Sequence, residues 1–226
     1  MSALVLIRHG QASWGSADYD VLSECGVQQS RRLGDHLAKN NVHFDAIYTG
    51  PRKRHLDTAR HMRDAATAAG AEPPEPIVID ALDELPAFEL IAHWRPIIEE
   101  REPDLAKQIL TGSTRAMALI LERWATGELD SGDHESYFDF RNRVRGALDR
   151  IRDEQGRKKN VGVVTSGGTI AIGVGYSLEL APPKTIALIW SIVNSSTTEL
   201  HYRDDELGLS AFNRVAHLAP DLVTTR

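Results

Sequence analysis

Cysteine is all but missing from this chain of 226 residues, since Cys25 stands alone. No intramolecular disulfide can form, and no cysteine cluster can hold zinc. A reducing compartment is the simplest setting for such a chain. A basic excess is also missing: 26 Lys and Arg face 32 Asp and Glu, a net charge of −6. That balance argues against a general nucleic-acid binder, yet it leaves room for a small cationic pocket. No apolar run approaches the roughly 18–20 residues of a membrane span. The apolar stretch at the start ends at Arg8 with no basic region before it, which does not suit a signal peptide. The expectation is a soluble, cytoplasmic protein with no nucleic-acid and no membrane partner. Internal repeats and low-complexity segments are absent as well.

What remains is ordinary globular composition, 42% hydrophobic and 26% charged. The length favours one domain, 1–226, large enough to bury a real core. Ala3–Ile7 is a short continuous apolar run of the kind buried on both faces of a sheet. Ser23 opens a helical stretch to about Asn40, with Leu33 and Leu37 four apart. Phe44–Tyr48 reads as a second strand, followed by Thr49-Gly50-Pro51 and a helix among basic residues. Prolines mark 71–76 as a loop, and Ile77–Ile79 as a third strand after it. From about 86 to 125 the pattern is helical, broken once at 99–103, and is expected to be an insertion. A helix from Glu135 to about Glu154 precedes the clearest central strand, Val161–Val164. That strand runs into the small-residue turn 165–169, which feeds a helix. A helix from Pro182 through Trp190 and late strands at Thr197–Tyr202 and Leu207–Phe212 complete the pattern. This alternation predicts an α/β three-layer sandwich with a mainly parallel central sheet.

Polar chemistry gathers at three strand ends, where open α/β sheets place their ligand sites. Arg8-His9-Gly10 follows the first strand, Arg52-Lys53-Arg54 the second, and Ser166-Gly167-Gly168 the fourth. Arginines together with backbone N–H groups at helix starts suit a phosphate or another oxyanion. Set against this, each residue has a plainer reading. His9 could be a satisfied strand-end histidine and Arg54 a solvated one at a helix start. Glu84 has Asp80, Asp83 and Glu89 as acidic neighbours, and Ser166 could be a turn residue. His217 reads as structural.

These residues also carry a family resemblance. Arg8-His9-Gly10 after the first strand resembles the signature of the histidine phosphatase superfamily, which includes phosphoglycerate mutases and fructose-bisphosphatase-like enzymes. The stretch from Gly50 to Ala59 is similar to its Ser-Pro-Leu-x-Arg-Ala-x-Gln-Thr-Ala motif, and Thr58-Ala59 with Pro51 puts Arg54 on the pocket arginine. Leu82-Asp83-Glu84 resembles its Leu-x-Glu, with Glu84 on the proton donor. Leu22–Gly26 with Gln29-Ser30 resembles a further helix start, and Glu135-Ser136 followed by Arg141 resembles its Gly-Glu-Ser helix. In the family a second catalytic histidine follows the fourth strand, and here that position falls on Ser166. Gln11 and Gly15 depart from the mutase pattern, His55 replaces a small alanine, and Pro86–Glu89 replaces a Gly-x-Trp-Glu-Gly stretch.

The resemblance implies a phosphoglycerate mutase-like fold and a metal-independent phosphomonoester hydrolase that needs no cofactor. It makes His9 the phosphoryl acceptor, with Arg8, Arg54, Ser166 and Gly167 on the phosphate and Glu84 the acid. Activity weakened by the Ser166 replacement is expected, with phosphate binding less affected. The implied partner is a small phosphorylated substrate or phosphate. Two alternatives stay open, a mutase-type phosphotransferase and a pseudoenzyme that binds a phosphorylated ligand or a protein without turnover. The identity of the substrate and the oligomeric state are left open.

Overall fold

A computed structural model of the chain describes residues 2–13, 19–204 and 206–225. Gly15, one of the departures noted above, lies outside them. The elements run β1 (Ser2–Arg8), α1 (Glu24–Lys39), β2 (Ala46–Thr49), α2 (Lys53–Ala68) and β3 (Pro76–Val78). Then follow α3 (Ala87–Arg101), α4 (Pro103–Leu110), α5 (Thr114–Thr126), α6 (Tyr137–Gln155) and β4 (Asn160–Thr165). The chain continues through α7 (Gly167–Ser177), α8 (Pro182–Ala187), β5 (Thr197–Arg203) and β6 (Glu206–Arg214).

One sheet has the order β3-β2-β4-β1-β5-β6. β1, β2, β3 and β4 are mutually parallel, while β5 and β6 join as an antiparallel hairpin beside β1. The sheet is thus mixed, with its parallel part at the centre and on the β3 side. Arg8 pairs with Thr165 and Thr49 with Val164, so the carboxyl ends of β1, β2 and β4 lie side by side on one edge.

Strand side chains alternate faces with period two, and the burial divides accordingly. Ile7, Ile47 and Val164 face Leu33 and Leu37 of α1 and Ala59 and Met62 of α2. Leu4, Leu6, Tyr48, Val161 and Val163 face the other way, into a larger core with Phe140, Val144 and Leu148 of α6 and Ile170 and Val174 of α7. Each central strand therefore reads as continuously apolar because both faces are covered. α1 and α2 pack closely, and a Cβ on Gly34 would come within 2.0 Å of the Met62 carbonyl. α7 is buried from Gly167 to Gly175, so its apolar sequence shows no polar face.

The helix starts follow local chemistry. The Ser23, Ser113 and Ser136 side chains accept from the N–H groups of Gly26, Ala116 and Asp139 at the first turns of α1, α5 and α6. The stretch from 86 to 125 holds three helices, not two. Besides the break at Glu102, where Pro103 starts α4, a second break falls at 111–113. There Gly112 takes φ 73° and Ser113 caps α5. The helix expected from Pro182 through Trp190 is α only to Ala187 and closes as a 3-10 turn over Leu188–Trp190.

Candidate active site

The shared strand edge brings the sequence-predicted residues together. Arg8 ends β1, and the His9 N–H donates to the Thr165 carbonyl (2.8 Å), which carries the β1–β4 ladder one residue beyond the strand. The next residue, Gly10, sits so close to α1 that a Cβ would lie 2.4 Å from the Gly26 carbonyl oxygen. Only glycine permits that approach. The Gly10 N–H donates to Thr58 Oγ1 (3.0 Å), and Thr58 Oγ1 donates to the Arg54 carbonyl (2.7 Å). Thr58 thereby ties the His9 loop to the first turns of α2.

His9 is 4% exposed. Its Nδ1 lies 2.7 Å from the Gly10 carbonyl, an acceptor only, so Nδ1 carries the proton and Nε2 the lone pair. Burial, and then the Arg54 and Arg8 guanidinium groups, push its pKa well below the ordinary 6.5. The imidazole is therefore neutral, with a free base nitrogen at neutral pH. Arg54 Nε donates to that Nε2 (3.2 Å).

Arg54 is 5% exposed, and each of its three nitrogens points to a different group. Besides Nε on His9, Nη1 pairs with Asp20 Oδ1 (2.6 Å) and Nη2 donates to Ser166 Oγ (3.5 Å). The other Asp20 oxygen accepts from the Lys53 N–H (2.9 Å) at the start of α2. Nothing in the sequence pattern marked Asp20, because it acts across 34 residues on a helix start.

Arg8 Nη1 donates to the Ile192 and Thr225 carbonyls. Arg8 Nε is buried without a hydrogen-bond partner among the described residues, and it sits beside the Gly167 backbone. Burial lowers the pKa of Arg8, against attraction from Glu84. Glu84 meets the start of α7 from the other side. Its Oε2 accepts from the Gly168 N–H at 3.4 Å and its Oε1 from the Leu85 N–H at 2.9 Å. The turn carrying it is held by Thr165 Oγ1 on the Leu82 carbonyl (2.7 Å) and Thr169 Oγ1 on the Asp83 carbonyl (3.1 Å). Arg143 adds bonds to the Ala81 and Asp83 carbonyls while pairing with Glu135 (2.7 Å). Arg141, two residues earlier, lies over the Phe138 ring.

Ser166 is fully buried ahead of α7, and no side-chain capping bond is made there. Its Oγ lies 2.6 Å from Nε2 of His55, a fully buried residue of α2 that sequence reasoning noticed only as a replacement for alanine. Arg8, His9, Arg54, Glu84, Ser166 and Gly167 thus occupy one site, with cationic donors around a neutral imidazole and a carboxylate opposite. Such a site is suited to an oxyanion next to a nitrogen nucleophile. His217 lies elsewhere, 3.1 Å from Ser195 Oγ and against His36. Among the described residues no group of three His, Cys, Asp or Glu side chains is arranged to hold a metal ion. No helix among them is long and apolar enough to cross a membrane.

Comparison with known proteins bears on the family and the fold. Over 70 residues the chain is 40% identical to the 2,3-bisphosphoglycerate-dependent phosphoglycerate mutase of Leifsonia xyli, a match that spans 28% of each protein. Among solved structures, phosphoserine phosphatase of Entamoeba histolytica in complex with 3-phosphoglyceric acid has the same fold. Its TM-score is 0.66 at 22% identity, over 97% of this chain and 100% of that one. A phosphoglycerate mutase from Bacillus anthracis gives a TM-score of 0.68 at 18% identity, over 96% of this chain and 94% of its own. Residues 4–215 match the family model described as histidine phosphatase superfamily, branch 1, and the chain belongs to that superfamily.

Proposed function

We propose that the protein is a phosphomonoester hydrolase that works through a phosphohistidine on His9. The observation that carries this reading is the His9 ring itself, neutral, with its proton held at Nδ1 by Gly10 and Nε2 facing the Arg54 guanidinium. The monoester phosphorus is attacked in line by Nε2, which forms the P–N bond as the P–O bond to the alcohol breaks. Arg54 releases Nε2 as the phosphoryl group enters and turns its donors to the phosphoryl oxygens. Arg8 Nε and the Gly167 N–H supply further donors, and these stabilise charge in the transition state. Positive charge on the substrate thus comes from side chains of the chain itself. Glu84, entering the step protonated, gives its proton to the departing alkoxide and then takes one from the water that attacks the phosphohistidine, as the P–N bond breaks and phosphate leaves. Ser166 contributes one uncharged donor where the family resemblance puts a second histidine, so turnover is expected to be slow relative to phosphate binding.

A mutase reading is favoured by one observation, the partial match to a phosphoglycerate mutase. The two differ only in what accepts the phosphoryl group from His9, water or a returning alcohol. Incubation with 3-phosphoglycerate and with p-nitrophenyl phosphate separates them. Release of inorganic phosphate from both supports the hydrolase, whereas conversion to 2-phosphoglycerate without phosphate release supports the mutase. Loss of neither activity in His9→Asn refutes both.

A further inference from the structure

α6 carries five arginines, and three of them meet carboxylates. Arg143 pairs with Glu135, Arg150 with Glu154, and Arg152 with Asp149 and Asp153. Arg141 and Arg145 pair with no carboxylate among the described residues. Four positions apart, they share one face of the helix, and both line a cavity of about 330 Å³. α7 adds Tyr176 to its walls and α8 adds Thr185. The cavity shares no lining residue with the site around His9. α7 starts at that site with Gly167 and reaches the cavity with Tyr176, a span of roughly 13 Å at 1.5 Å per residue.

The walls are fixed by packing. A Cβ on Gly175 would stand 2.5 Å from Thr185 Oγ1, so α7 and α8 touch there, and Thr185 Oγ1 donates to the Ala181 carbonyl (3.2 Å). Tyr137 is 2% exposed, with its ring edge-on to Trp124. The Arg145 guanidinium lies over the Tyr176 ring, 4.0 Å from its centroid. Stacking of this kind uses the face of the guanidinium and leaves its N–H edges open. Those N–H groups have no hydrogen-bond partner among the described residues. Arg141, over the Phe138 ring, reaches only the side-chain oxygen of its neighbour Asn142 (3.2 Å).

Two half-buried guanidinium forks on one cavity suit an anion with more oxygens than a carboxylate has. One carboxylate is filled by one fork, whereas the three oxygens of a phosphoryl dianion can accept from two. Glu179 is the one carboxylate lining the cavity among the described residues, so the walls keep a net positive charge. Ile172, Leu180 and Pro182 supply apolar surface, and the volume is at the lower end of small-molecule pockets, about 300–1,000 Å³. We propose that this cavity is a second anion site, which binds a small organic phosphate through Arg141 and Arg145 with its apolar body against the other walls. The site is independent of the chemistry at His9.

The test titrates the full chain with phenylphosphonate, whose P–C bond resists hydrolysis, and follows backbone amide shifts. Gly175 and Tyr176 report the cavity, and Gly10 and Gly167 report the site around His9, so the two are read separately. Saturable shifts at Gly175 and Tyr176 are expected. Arg141→Gln and Arg145→Gln should each weaken them about tenfold or more, the value of one hydrogen-bonded charge. Both variants should leave turnover of p-nitrophenyl phosphate unchanged. Benzoate, with the same ring and one charge, should bind the cavity at least about tenfold more weakly, because one fork satisfies it. Shifts confined to Gly10 and Gly167, cavity shifts that persist unweakened in both variants, or benzoate binding as tightly as phenylphosphonate overturn the inference. If one variant does not fold, the other together with the benzoate comparison decides it. Silence at Gly10 and Gly167 beside shifts in the cavity counts against the phosphoryl site at His9 alone.

Discussion

Replacing Arg54 by lysine keeps the charge and removes the fork. The structure makes that distinction sharp, because Nε, Nη1 and Nη2 each engage a different group: His9, Asp20 and Ser166. A lysine ammonium is one point at the end of a flexible stem and cannot reach all three. Asp20 Oδ1, with a pairing distance of 2.6 Å to Arg54, would draw the ammonium away from His9. The phosphoryl group would then lose at least one preorganised donor in a buried site. Loss of one such donor costs about 10²–10³ in rate, or roughly 3–4 kcal/mol. Arg54→Lys is therefore expected to lower kcat/KM for p-nitrophenyl phosphate by that factor, close to Arg54→Ala. The inhibition constant for inorganic phosphate should rise in parallel, with thermal unfolding checked to show that both variants fold. An Arg54→Lys variant within tenfold of wild type would mean that charge alone suffices, and would refute the forked-donor reasoning.

Further outcomes follow from burial and close packing. Because the His9 pKa lies well below 6.5, its nitrogen-15 signals should keep the neutral pattern at pH 6, and protonation there would contradict the buried-base assignment. His217 has its pKa lowered by burial to about 4. Between pH 6.5 and 4 the unfolded chain therefore binds a proton that the folded one does not, and stability falls as pH drops through that window, by up to about 3 kcal/mol. His217→Gln should flatten this fall in urea unfolding at pH 7 and pH 4.5, and an unchanged difference would count against it. Gly10→Ala forces a Cβ to 2.4 Å from a backbone carbonyl and should destabilise by about 1–3 kcal/mol or more by denaturant unfolding; an unchanged midpoint would show that the loop gives way freely.

The parts of the site written locally were legible in the sequence. Arg8-His9-Gly10 stood out because a strand buried on both faces ends abruptly in charge. Arg54 was legible through Thr58, and the structure supplies the reason, since Thr58 Oγ1 joins the Gly10 N–H to the Arg54 carbonyl. The break at Gly112-Ser113 carried its signals, a left-handed glycine and a capping serine, but both were read within an apolar helical pattern. What stayed hidden depends on long-range pairing. His55 meets Ser166 across 111 residues only because β2 and β4 are parallel neighbours in register. Arg143, which no local pattern singled out, reaches both Glu135 and the Glu84 turn.

The most direct test of the account is to trap the covalent intermediate. The chain is mixed with a labelled phosphomonoester, quenched in base and analysed by peptide mass spectrometry. The account predicts a phosphoryl group on His9, stable in base and lost in acid, and absent in His9→Asn. Turnover with an acid-stable phosphoryl group on Ser166, or turnover at wild-type rate in His9→Asn, would contradict it.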